Sequence, residues 1–237
     1  MPLIRSLRWL PLAAAVAAAL PLASPAPAPA QSASASDADA EYTRVIRARA
    51  EKIVASLKLD DPAKTEQVTT LLTDQYRALR AIHDPRDAKI KQARDSLEGA
   101  ERDAAVQKIR DDAMAKLVPL NEAFVGKLQA ILTPEQVEGV KNGLTYNVLN
   151  VTYDGFLDML PQLTDGQKQH IRSELLKARE IAMVGGSSEE KHAAFGKIKG
   201  RINNYLSKQG YDLKQASKDW AERRKAQQQT PTTRPTN

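Results

Sequence analysis

The sequence contains no cysteine in 237 residues. That excludes disulfides, thiolate metal sites, cysteine nucleophiles and a lipid anchor on an N-terminal cysteine. A chain of this length buries roughly 70% of its unfolded surface and folds without such staples. There is no G-x-S-x-G, no H-E-x-x-H and no glycine-rich phosphate loop, so the common hydrolase, zinc-protease and nucleotide signatures are missing. Histidine is scarce: only His83, His170 and His192 occur. His170 lies four residues before Glu174, and His83 lies beside Asp84 and Asp87. Asp84 has a capping role before Pro85, and neither group makes a persuasive set of three or four ligands. No metal, no cofactor and no catalytic residue is expected. Aromatic residues are few, 5% of the chain, which makes their placement informative.

Long apolar runs are absent outside the N-terminus. There Arg5 and Arg8 precede an apolar stretch from Leu10 to Leu22, about 13 residues and too short to span a bilayer. Small residues follow, in the pattern of a Sec-type signal peptide cleaved after Ala30. The product is expected to be periplasmic or extracellular, with no membrane association after cleavage. The whole chain carries a net charge of +6. Loss of residues 1–30 removes Arg5 and Arg8 and leaves a mild excess with no focused basic stripe, so no nucleic-acid partner is expected.

What remains reads as all-α, a multi-helix bundle with one long kinked helix. The expected organisation is a signal peptide at 1–30, a disordered linker at 31–40, a helical domain at 41–222 and a disordered tail at 223–237. Apolar residues at helical spacing place helices over about 40–58 and from Asp61-Pro62 onward. Asp-Pro is a start signal, with the carboxylate as N-cap and proline at the first turn. Asp84-Pro85 repeats it, opening a helical stretch to about 132 that Gly99 bends or splits and Pro119 kinks. A short helix follows Thr133. Residues 145–152 permit a brief extended piece before a short helix at 153–160. Further helices cover 164 to about 184, the stretch beginning near 192, and about 212–227.

Leu132-Thr133-Pro134-Glu135-Gln136 and Leu163-Thr164-Asp165-Gly166-Gln167 both spell L-T-x-x-Q. The motif resembles that of Spy/CpxP-type periplasmic chaperones. It also describes a capping box, in which threonine accepts from the N3 amide and glutamine reaches back to the N-cap amide. Ser187-Ser188-Glu189-Glu190 has the same form.

After residue 145 come Tyr146, Tyr153, Phe156, Phe195, Tyr205, Tyr211 and Trp220, seven of the eleven aromatics. They are interleaved with amides, acids and a guanidinium. Rings that stack on the C–H face of a sugar, beside groups that bond its hydroxyls, make a saccharide site. The same rings also serve as core with polar tips at its rim. The candidate ligand-binding residues are Tyr146, Asn147, Tyr153, Asp154, His192, Arg201, Asn204, Tyr211 and Trp220. In the helical stretch 192–212, which carries four of them, Gly196, Gly200, Asn203 and Ser207 form a strip of small residues. Glycine costs ~1 kcal/mol relative to alanine in a helix, so the strip predicts a closely packed neighbour.

"QYRALRAIHDPRDAKI", "LTPEQVEGVKNGLTYNVLNVTYDGFLDMLPQLTDGQKQHI" and "AREIAMVGGSSEEKHAAFGKIKGRINNYLSKQGYD" together resemble the secreted bacterial family known as domain of unknown function 3826. The likeness covers roughly 41–222. It implies a sugar-binding protein that accompanies polysaccharide breakdown, and it brings no established catalytic residues. The expected partner is carbohydrate. The alternatives are a Spy-like chaperone and an unrecognised enzyme acting on glycans.

Overall fold

The computed structural model describes residues 30–229. The expected signal peptide, but for Ala30, lies outside them, as does the chain after 229. The chain divides after Asp39 into two compact units. The described part of the first is the opening of a helix; the second holds the packing and clefts considered below.

Among the described residues there are eight helices and no strand. They are α1 (Ala30–Ala55), α2 (Pro62–Ser96), α3 (Gly99–Gln129), α4 (Pro134–Leu144), α5 (Val148–Met159), α6 (Asp165–Met183), α7 (Ser188–Lys208) and α8 (Leu213–Gln229). The chain is thus an all-α bundle. Helix α1 begins ahead of the expected 40, and α8 carries the helix into the segment read as tail.

Start signals act where the preceding chain is free to end. Asp61 caps α2, its carboxylate accepting from the Ala63 and Lys64 amides. Thr133 and Thr164 both form complete capping boxes with Gln136 and Gln167, so helix initiation accounts for the L-T-x-x-Q motifs. Ser187 accepts from the Glu190 amide, but Glu190 does not close the box. Its carboxylate accepts instead from the Gly186 N–H at 2.8 Å and from Arg86.

The long kinked helix is two helices. Helix α2 passes straight through Pro85, and Asp84 accepts from Arg80 Nε at 3.0 Å rather than capping. The start signal is overridden because the buried stripe is continuous across it, with Leu79 and His83 before and Ile90 and Ala93 after. The break falls at Leu97 and Glu98, both extended, and Gly99 adopts φ +54°. There the chain folds back, and α3 packs along α2 through Ile90, Ala93 and Val106. Pro119 lies within α3.

The extended piece expected at 145–152 is a tight turn followed by helix. Thr145 is fully buried and its hydroxyl donates to Lys141 O at 2.8 Å. Tyr146 and Asn147 both take left-handed φ values of 56°. From Val148 the chain is helical, because Leu149 and Phe156 reach a common core at helical spacing, which outweighs the β-branched content.

Two apolar cores result. Helices α1–α4 bury Ile53, Leu72, Phe124, Leu128 and Val140 together with Met183. Helices α5–α7 bury Leu149, Phe156, Ile171, Leu175, Ile198 and Ile202. Helix α6 joins them. Its Arg179, 2% exposed, forks onto Glu138 of α4 at 2.7 and 3.0 Å and onto Asn142 Oδ1 at 2.9 Å. The end of α6 delivers Met183 to the first core and Val184 to a cluster with Leu79 and Leu117.

The glycine expectation is overturned. A methyl at Gly196 or Gly200 would meet nothing within 4 Å. Close approach occurs at Gly139 and Gly143 of α4, where an added Cβ would lie 2.7 Å from Leu57 and 2.8 Å from Ile53. Gly200→Ala should therefore stabilise the protein by up to ~1 kcal/mol through helix propensity. Gly143→Ala should destabilise it by about 1–3 kcal/mol, since the stiff Ile53 side chain must move. Thermal melts of the two variants should shift in opposite directions.

Candidate functional site

Where the two cores meet, the chain leaves a cleft of about 280 Å³. It is bounded by α1, the middle of α2, the 145–147 turn, the turn after α6 and the first turn of α7. Three polar attachments hold these walls. His83 of α2 bonds Val184 O through Nε2 at 2.9 Å. Arg86, one turn on, donates to Glu190 at 2.6 Å, and Glu190 accepts the Gly186 amide. Lys191 of α7 donates from Nζ to Leu144 O at 2.8 Å, holding the end of α4.

The tautomer of His83 follows from its partner. A carbonyl only accepts, so Nε2 carries the proton and Nδ1 carries the lone pair. His83 is 4% exposed, and Nδ1 is buried with no hydrogen-bond partner among the described residues. Burial, aided by the Arg86 charge, pushes its pKa below the ordinary histidine value, so the ring is neutral at pH 7. Gly186 lies flat against it: a Cβ there would fall 2.6 Å from His83 Cγ. Burial works to raise the Glu190 pKa, but the Gly186 amide and Arg86 outweigh it and hold the carboxyl below its ordinary range.

Lys191 is the unusual cation. It is 5% exposed. Burial, with a smaller push from Arg49, brings its pKa down to about 8. No carboxylate among the described residues acts on it; its Nζ faces the rings of Tyr76 and Tyr146 at 5.9 and 5.8 Å instead. Tyr76 is pushed up to about 12 by burial and by the nearby Tyr146. Tyr42 completes the aromatic lining. Its hydroxyl donates to Tyr76 O at 3.1 Å and the Arg80 guanidinium covers its ring at 4.1 Å.

The structure scatters most of the sequence candidates. Tyr146 lines the cleft, half exposed, with His192 stacked on it at 5.5 Å. Asn147 follows in the same turn and accepts from Asn150. Tyr153 packs on the second core under Arg172. The Tyr211 hydroxyl donates to Gln167 at 2.8 Å, and Trp220 Nε1 donates to Asp158 at 2.6 Å. Asp154, Arg201 and Asn204 are exposed on α5 and α7. Segments 146–154 and 192–212 do leave a separate hollow between α5, α7 and α8, of about 540 Å³, but of the nine residues only Trp220 lines it. The cleft residues absent from the sequence candidates include Tyr42, Arg49, Tyr76, Arg80, Arg86, Glu190 and Lys191; the sequence offered His83 only as a metal ligand. A signal existed: Lys191 and His83 sit on the apolar stripes of their helices.

Among the described residues, no group of three or more His, Cys, Asp or Glu side chains is placed to hold a metal ion. None of the described helices is long and apolar enough to cross a membrane.

Residues 43–226 match the family described as protein of unknown function (DUF3826), and the chain belongs to that family. No curated protein matches the sequence.

Burying an unpaired ammonium is costly. The native lysine loses its proton near pH 8 and the unfolded one near 10.5. Between these values the unfolded chain holds more protons, so the native state gains relative stability as pH rises through that window, up to about 3 kcal/mol. Lys191→Met removes this cost and forfeits one hydrogen bond. It should raise the melting temperature at pH 7 by about 2–4 °C, with a smaller gain at pH 9.5. Calorimetric melts at the two pH values measure this. Gly186→Ala should lower stability by about 1–3 kcal/mol, because the added methyl collides with the His83 ring.

Proposed function

We propose that this protein binds a saccharide in the cleft between α1, α2, the 145–147 turn and the start of α7, acting outside the cytoplasm after export. The observation that carries this reading is the lining: Tyr42, Tyr76 and Tyr146 surround a polar hollow with Arg49, His83 and Lys191 among its walls. Rings offer faces to the C–H side of a sugar, and the polar groups serve its hydroxyls. At about 280 Å³ the cleft lies near the lower end of small-ligand sites, suited to a single sugar unit of a larger chain. Tyr146 is the ring most open to a ligand, held in a left-handed backbone conformation that a bulky residue adopts only at a cost. The hollow beside Trp220 is the weaker candidate. Its indole N–H is already taken by Asp158, and Arg224 sits 5.4 Å from the ring. Capping explains the L-T-x-x-Q motifs without a chaperone role.

Titration calorimetry against neutral and acidic plant and algal oligosaccharides tests the reading. Binding should weaken about tenfold in Tyr146→Ala, while the melting temperature stays within about 2 °C. Silence across the panel, or unchanged binding in the variant, contradicts it.

A further inference from the structure

The charges of the cleft do not balance locally. Arg80 is paired with Asp84, and Arg86 with Glu190 and Asp87. Those pairs use every carboxylate that lines it. Two cations are left over. Among the described residues Lys191 has one acceptor, the carbonyl of Leu144, for its three N–H groups. Arg49 stands on the α1 wall with no ion pair among the described residues, and its charge acts on Tyr42, Tyr76 and Lys191 alike. Beside them His83 keeps a buried acceptor with no donor among the described residues.

A buried lysine without a counter-ion is costly, and a second cation nearby adds to the cost. The arrangement becomes favourable when an anion enters. Lys191 and Arg49 then gain charge-assisted bonds beside the rings that line the cleft. A neutral sugar would leave both cations uncompensated. We infer that the cleft selects an acidic saccharide, one whose ring carries a carboxylate or a sulfate ester. The anionic group meets Lys191 and Arg49 while the ring lies against Tyr146. This rests on the saccharide reading above and adds the charge of the ligand.

The test compares four probes by titration calorimetry at pH 6.5 and low salt: trigalacturonate, a sulfated galactose trisaccharide, neutral galactotriose, and the non-sugar dianion glutarate. At least one anionic trisaccharide should bind tenfold or more tightly than galactotriose, and which one does so identifies the anionic group. That preference should vanish in Lys191→Met and shrink several-fold in Arg49→Gln. Affinity for galactotriose should fall by a smaller factor than affinity for the anionic trisaccharide in both variants. Arg49 is exposed, so its variant tests the inference independently of the buried lysine. Equal binding of neutral and anionic trisaccharides overturns the inference and leaves the saccharide reading standing. Glutarate binding as tightly as trigalacturonate overturns the saccharide reading and leaves an anion site. No binding by any probe overturns both.

Discussion

One hydrogen bond organises the centre of this molecule: the ammonium of Lys191 donating to the carbonyl of Leu144. The bond joins the first turn of α7 to the last residue of α4, where the chain reverses through Thr145, Tyr146 and Asn147. It fixes the position of that left-handed turn and thereby aims Tyr146. The other side is fixed in the same manner, with His83 on Val184 O and Arg86 on Glu190 tying α2 to the turn between α6 and α7. The walls of the cleft are thus set by charged and polar groups at the seam between two apolar cores. Apolar packing alone would place the helices. The polar attachments decide which side chains face the hollow.

Such a seam works against stability. A lysine and a histidine occupy stripe positions that leucine would fill at less cost, and a tyrosine holds a backbone conformation suited to glycine or asparagine. The remaining stability comes from elsewhere: the two cores, four capped helix starts, and the Arg179 fork that clamps α6 onto α4. Arg179 and Lys191 are both buried cations, and the contrast between them is instructive. Arg179 meets Glu138 face to face and is structural. Lys191 meets a neutral carbonyl and two rings, which leaves its charge available.

Much of this was legible in the sequence, and the exceptions share a cause. Apolar periodicity and caps identified the helical class, and Asp61, Thr133 and Thr164 act as local chemistry says they should. Local signals failed where tertiary packing competed with them. Asp84-Pro85 is a start signal in isolation, yet the buried stripe of α2 runs through it. The two glycine pairs at spacing four look alike as text, but only Gly139 and Gly143 lie tight against another segment, the end of α1 and the turn after it. Of the nine proposed ligand residues, only Tyr146 lines the cleft, with His192 stacked on its ring, because a ring's neighbours across the fold do not appear in its own segment. Lys191 was readable in principle. It lies four residues before Phe195 on a core-facing stripe, where a lysine is out of place.

The central claim is that Lys191 is a buried amine with no counter-ion among the described residues, and that the proposed acidic ligand supplies one. Nitrogen and carbon NMR of the Lys191 side chain, titrated with and without an acidic oligosaccharide, tests this most directly. The account predicts a pKa near 8 in the free protein, moving upward by about one unit or more when the ligand binds. A free-protein value near the ordinary 10.5, or a value that does not move on saturation, would contradict it.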